Sequence, residues 1–222
     1  MKLLSELQEK VEFLTEGEGN SKKHYISGLF LEFDTPNKNN RKYSSEYHDP
    51  TVKKYISEKV NNNNAFGECD HPETRPTISL THVSHRITEM HKDGSNWYGK
   101  AIITNTPNGN ILKGLLESGG NLGVSSRGLG SLKQCEGFME VQPDYKLITA
   151  ADVVSDPSAH GAFVQGIMEN VEYFFDESSG SWLAEKTEEI KKKMKKMSLK
   201  EISEKKTIMF EHFLRSLIKN KK

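Results

Sequence analysis

Two short segments set reactive side chains beside residues that restrict the backbone. In Gly67-Glu68-Cys69-Asp70-His71-Pro72 an imidazole precedes a proline, where the chain is extended and few φ/ψ choices remain. In Gly123-Val124-Ser125-Ser126-Arg127-Gly128-Leu129-Gly130 two hydroxyls and an arginine stand among glycines. Glycines let backbone N–H groups approach a ligand closely, as an oxyanion site requires. A serine hydroxyl is a weak nucleophile near neutral pH. It needs a base within hydrogen-bond reach, and the base needs a third group to set its tautomer. Asp152, in Ala150-Ala151-Asp152-Val153-Val154, is a candidate for that group. A lone carboxylate in an apolar strand costs on the order of several kcal/mol unless paired. Its partner is a histidine or, equally, the backbone or Arg127. Plainer readings stand beside these: a loop histidine in solvent, and a glycine-serine turn that is only a turn. Adjacent strand side chains point to opposite faces, so only one of Ser125 and Ser126 can meet His71.

The elements around these segments read mostly as strands. Residues 25–34 are rich in β-formers and aromatics and form the first strand. Residues 83–92 and 97–104 flank Asp93-Gly94-Ser95-Asn96, an antiparallel hairpin signal. Strands also read over 124–132, 137–141 and 145–154. Asp49-Pro50 opens a helix running to about residue 60, and Thr106-Pro107 caps a shorter one that Gly119-Gly120 stops. The fold class is therefore α+β, a mostly antiparallel body closer to a decorated barrel than to a doubly wound sheet. Leu3, Leu7, Val11 and Leu14 lie at helical spacing and predict an N-terminal amphipathic helix, with a flexible linker over residues 16–21. A last helix starts at the capping-box pattern Ser198-Leu199-Lys200-Glu201. The expected organisation is an N-terminal segment 1–20, a central domain 21–170 and a helical basic tail 171–222.

The chain has 222 residues, 34% hydrophobic and 28% charged, with 31 Lys/Arg and 31 Asp/Glu. Net charge zero argues against a globally basic nucleic-acid binder. The balance hides a split: residues 185–222 carry thirteen basic and six acidic side chains, net +7, and residues 1–184 are at −7. No apolar run approaches the ~18 residues of a membrane span. The two cysteines make no disulfide framework, which places the protein in a reducing cytosol.

In order, Gly28-Leu29-Phe30-Leu31-Glu32, Asn37-Lys38-Asn39-Asn40-Arg41-Lys42-Tyr43, Gly67-Glu68-x-x-His71-Pro72, the block from Gly123 to Leu132, and Asp152…Pro157-Ser158-Ala159 resemble the prohead core proteases of T-even-type tailed phages. The match spans roughly residues 28–159. That family is similar in fold to the herpesvirus assemblins, serine proteases built on a β-barrel wrapped by helices. The resemblance implies His71 as general base and Ser125 as nucleophile, with no cofactor or metal. Assemblins use a second histidine as third member; this sequence offers Asp152, with His160 the nearest histidine that could replace it. Arg127 and Gly128 are candidates for shaping the oxyanion site, through backbone N–H or guanidinium.

The resemblance further implies scaffold or core proteins and the major capsid protein as substrates, in the prohead within the host cytoplasm, and a homo-oligomer. Family members resemble one another in cutting after glutamate with an aliphatic residue two positions earlier. Leu4-Ser5-Glu6, Ile167-Met168-Glu169, Leu183-Ala184-Glu185, Leu199-Lys200-Glu201 and Ile202-Ser203-Glu204 fit that pattern near the chain ends, which suggests a self-trimming zymogen. Two rival readings remain. Cys69, His71, His82 and His85 supply zinc-type ligands, though His82 and His85 suit neither a helical pair nor a same-face strand pair. The other rival is a catalytically silent scaffold- or capsid-binding module.

Overall fold

A computed structural model describes residues 1–8, 11–18, 22–72, 75–155, 171–176 and 181–186, the last two stretches and Leu7 by backbone alone. Along the chain come strands β1 (Lys2–Gln8), β2 (Glu12–Glu16), β3 (Lys23–Leu31) and β4 (Arg41–Lys42), then helix α1 (Ser45–Tyr55). Next are β5 (Phe66–Glu68), β6 (Val83–Asp93), β7 (Asn96–Ile103) and helix α2 (Pro107–Glu117). Strands β8 (Gly123–Gly130), β9 (Leu132–Gln134), β10 (Met139–Val141), β11 (Lys146–Val154), β12 (Val171–Asp176) and β13 (Ser181–Lys186) follow. Met1–Ala184 forms one compact unit. The expected last helix and His160 lie outside the described residues.

The expected antiparallel, strand-rich α+β body is present, but the described strands close no barrel. The described strands fall into sheets ordered β1-β8-β11, β2-β3-β7-β6-β5 and β4-β10-β9, with β12 and β13 paired separately. The passage from the five-stranded to the three-stranded sheet is a single bridge between Cys69 and Val153, not a ladder. One bridge cannot continue the hydrogen-bond network that closure requires. Phe30, Ile26, Ile87 and Val124 are fully buried in the core. Each such side chain contributes about 1.5–3 kcal/mol relative to exposure.

The expected N-terminal helix is absent: residues 2–8 and 12–16 are strands. Leu3, Leu4, Ser5, Glu6 and Gln8 are all buried, so β1 lies between layers rather than presenting one apolar stripe. Its backbone groups pair along β8 from Val124 to Gly130, a ladder that outweighs the helical spacing of three leucines and a valine. Helix α1 also begins earlier than Asp49-Pro50 suggests. Ser44 is its extended N-cap residue, and Pro50 lies inside it. The Asp49 carboxylate instead accepts from Trp97 Nε1 at 2.8 Å, tying α1 to β7. The hairpin over β6 and β7 and the Thr106 cap on Gly109 N–H (3.1 Å) form as the sequence indicates.

Candidate active site

Strand β8 is buried at all eight positions although three are glycine and three polar. A strand between β1 and β11 has both edges paired, so its backbone cost is met by two ladders. The side chains then divide by alternation. Ser125 is the register partner of Asp152 on β11, so the two share a face. Arg127, two residues on, lies on that face and reaches Asp152. Ser126 turns the other way, toward Tyr145 and Glu6.

His71 arrives from the five-stranded sheet. Gly67 allows the approach: a Cβ there would stand 2.2 Å from the Ala151 carbonyl and from the His85 ring. Beyond β5 the chain continues beside β11, where Asp70 N–H donates to the Val153 carbonyl at 2.8 Å. Asp70 adopts φ 63°, the left-handed region that Asp tolerates better than most residues. The turn delivers the imidazole over β11, where Nδ1 lies 3.0 Å from Asp152 Oδ2. A carboxylate can only accept, so Nδ1 carries a proton, and in the neutral imidazole the lone pair is on Nε2. Nε2 is buried and makes no hydrogen bond among the described residues, and the pair is 4% and 0% exposed.

Asp152 is held from several sides. Glu68 N–H donates to Oδ1 at 2.9 Å, and Arg127 Nη2 approaches the same oxygen at 3.4 Å. Arg127 Nε lies 2.9 Å from Oδ2, an ion-pair contact in which the N–H is angled off the hydrogen-bond direction. Burial alone would raise the Asp152 carboxyl; the His71 hydrogen bond, the Arg127 guanidinium and the Glu68 N–H outweigh it and hold it below its usual range. Arg127, itself fully buried, also faces Glu68 Oε2 at 3.4 Å and donates to the Arg75 carbonyl at 3.0 Å. Arg75 closes the chain with a fork on Glu68, 2.9 Å to each oxygen. Two carboxylates thus alternate with two guanidinium groups, that of Arg75 partly exposed, and formal charge cancels while His71 is neutral.

Ser125, His71 and Asp152 therefore stand in one region, Ser125 beside Asp152 by register and His71 by hydrogen bond. The Arg127 guanidinium is committed to the Asp152 and Glu68 carboxylates and to the Arg75 carbonyl. Gly128 has a packing reason of its own, since a Cβ there would meet the Tyr145 ring at 2.4 Å. Glu68 and Arg75 were given no role by sequence reasoning. The signal was present: the burial cost applied to Asp152 also demands an anion for an arginine in a glycine-rich strand. The zinc-type ligands disperse. His85 is fully buried with Nε2 3.0 Å from the Ala151 carbonyl, and Cys69 donates weakly to the Asn108 carbonyl. Burial pushes the Cys69 thiol up, away from the reactive thiolate. Among the described residues no three His, Cys, Asp or Glu side chains converge as metal ligands.

The chain resembles known proteins in sequence and in fold. Residues 7–172 match the profile of the family described as prohead core protein serine protease. The prohead core protein protease of Enterobacteria phage T4 is 36% identical over 143 residues, covering 63% of this chain and 67% of that protein. The solved structure of the bacteriophage T4 capsid assembly protease, gp21, superposes with TM-score 0.65 at 31% identity, covering 69% of this chain and 97% of that one. No helix among the described residues is long and apolar enough to cross a membrane. The family match covers most of the described residues, and this chain belongs to the prohead core protein serine protease family.

Proposed function

We propose that this serine endopeptidase uses Ser125 as nucleophile, His71 as general base and Asp152 as the group that orients the base. It cuts phage scaffold or core proteins and the major capsid protein within the prohead, in the host cytoplasm. Cleavage follows glutamates with an aliphatic residue two places earlier, and the enzyme is made as a zymogen that trims its own ends. The carrying observation is the 3.0 Å bond from His71 Nδ1 to Asp152, which leaves a buried Nε2 lone pair in the region that Ser125 faces.

His71 Nε2 takes the Ser125 hydroxyl proton as Oγ bonds to the scissile carbonyl carbon, and the carbonyl oxygen gains the charge. His71 then returns the proton to the leaving nitrogen as the C–N bond breaks. Water repeats the sequence on the acyl-enzyme and releases the acid. Asp152 stays ionised throughout and stabilises the imidazolium. Arg127 positions Asp152; its guanidinium is engaged there, and the N–H groups of Arg127 and Gly128, the expected oxyanion donors, belong to a strand paired on both edges.

The test compares Ser125→Ala and Ser126→Ala for peptide cleavage and for labelling by a serine-reactive fluorophosphonate. Ser125→Ala loses both and Ser126→Ala retains both. The reverse pattern refutes the assignment of the nucleophile. Absence of labelling and cleavage in the wild type, as prohead and as free chain, favours a silent binding module.

A further inference from the structure

The segment that follows His71-Pro72 is fastened to the buried charges by its own backbone. Arg127 Nη1 donates to the Arg75 carbonyl at 3.0 Å and reaches the Thr77 carbonyl at 3.4 Å. Glu68 accepts the Ser79 N–H and the Arg75 fork, the latter at 2.9 Å to each oxygen. Arg75 Nη1 also donates to the Thr77 carbonyl, and Pro76 between the two is buried. Residues 75–79 form no helix or strand; one carboxylate and one guanidinium set their course.

Charge counting shows what Arg75 adds. The titratable groups about the Asp152–His71 pair are Arg127 on β8, Glu68 on β5, Cys69 and Asp70 after it, His85 on β6, and Arg75. Burial keeps the His85 ring and the Cys69 thiol uncharged near pH 7. Asp70 is exposed, so solvent screens it. Asp152 and Glu68 then stand against Arg127 and Arg75. Without Arg75, two buried carboxylates share one guanidinium, and Glu68 competes with Asp152 for it. The surplus negative charge favours imidazolium over imidazole. An imidazole that already holds both protons cannot take one from a serine. The placement of Arg75 suits this task. Its side chain is 30% exposed where Glu68 is 1% exposed, so the cation reaches the interior from the surface without full desolvation. Both Glu68 oxygens are engaged by the same planar fork, a geometry that lysine does not reproduce.

We propose that Arg75 is a positioning residue of the catalytic machinery: by holding Glu68 it leaves Arg127 to Asp152 and keeps the site neutral with His71 as free base. It acts through Glu68 and Asp152, not on substrate. This rests on the reading of His71 as the general base.

The test is read on the imidazole itself, by NMR titration of the His71 ring in the full chain carrying Ser125→Ala, the signal assigned by its loss in His71→Gln. Arg75→Gln should move the protonation midpoint up by about 0.5–1 pH unit, or roughly three- to tenfold more imidazolium at a given pH, the scale of one charge removed from a partly solvated network. Arg75→Lys keeps the charge but loses the fork, and its midpoint should lie nearer the parent than that of Arg75→Gln. Glu68→Gln should move the midpoint down. Glu68→Gln combined with Arg75→Gln restores neutrality and should return it toward the parent. A merely structural role would not reverse sign between the two single variants. Should Arg75→Gln not fold, the downward shift in Glu68→Gln and its reversal in the double variant decide. An unmoved midpoint in Arg75→Gln, or shifts of one sign in both single variants, would overturn the proposal. With Ser125 restored, the acid limb of kcat/KM should follow the same shifts. If the midpoint moves and the acid limb does not, His71 is not the base; that reading then fails while the effect of Arg75 on the imidazole stands.

Discussion

Removing the Arg127 guanidinium is the most demanding test of the buried network. The side chain is wholly inside, between Asp152 and Glu68, which are 0% and 1% exposed. Arg127→Met keeps much of the apolar volume and leaves the interior one positive charge short. Breaking a buried pair by deleting one partner costs about 3–5 kcal/mol, because the remaining carboxylate stays unpaired. With a urea slope of roughly 2 kcal/mol per molar, the midpoint should fall by about 1.5–2.5 M. The assay is urea unfolding at pH 7.5 in the Ser125→Ala chain, so that the self-cleavage proposed above does not blur the transition. A second substitution tests the cause: Glu68→Gln added to Arg127→Met removes the surplus negative charge. The double variant should recover about 1–3 kcal/mol relative to additivity. Arg75, left without its partner, is partly solvated and adds little. A midpoint change under 0.5 M on Arg127→Met (about 1 kcal/mol at that slope), or strict additivity, would refute the view that Arg127 neutralises both carboxylates.

Gly128→Ala sets a Cβ 2.4 Å from the Tyr145 ring and should destabilise the chain by about 1–3 kcal/mol, read as a lower thermal midpoint. An unchanged midpoint would mean that Tyr145 moves at no cost. Stability should also fall as pH drops from 7.5 to 5.5. Burial holds His85 and His48 below the ordinary histidine range, so the unfolded chain takes up protons near pH 6.5 that the folded chain refuses. The depressed Asp152 acts lower still: its stabilisation is present above about pH 4 and is lost only as pH falls further. Urea midpoints at three pH values check this, with His85→Gln expected to flatten the slope; a midpoint that rises toward pH 5.5 contradicts it.

Much of the framework was legible in the residues themselves because it is decided locally. The β6–β7 turn needs the left-handed residue that Gly94 provides at φ 58°, and Thr106 followed by proline caps α2 whatever lies around it. The burial cost of a lone Asp152 required a partner before any neighbour was known. Other features had no local determinant. The helical spacing over residues 3–14 is overridden: β1 takes the free edge of β8 and β2 that of β3, ladders that an isolated helix cannot match. The separation of Ser125 from Ser126 follows from alternation, but which face holds the imidazole depends on where β5 delivers the chain. Glu68 and Arg75 acquire their place only when Arg127 is brought between two carboxylates more than eighty residues apart in sequence. The same holds for Glu6, whose donors Asn37, Asn39, Arg41 and Tyr43 lie over thirty residues away. Residue types and spacing thus determined which groups could react and which turns must form. Tertiary structure decided which charges meet, because pairing buried charges is a property of neighbours in space.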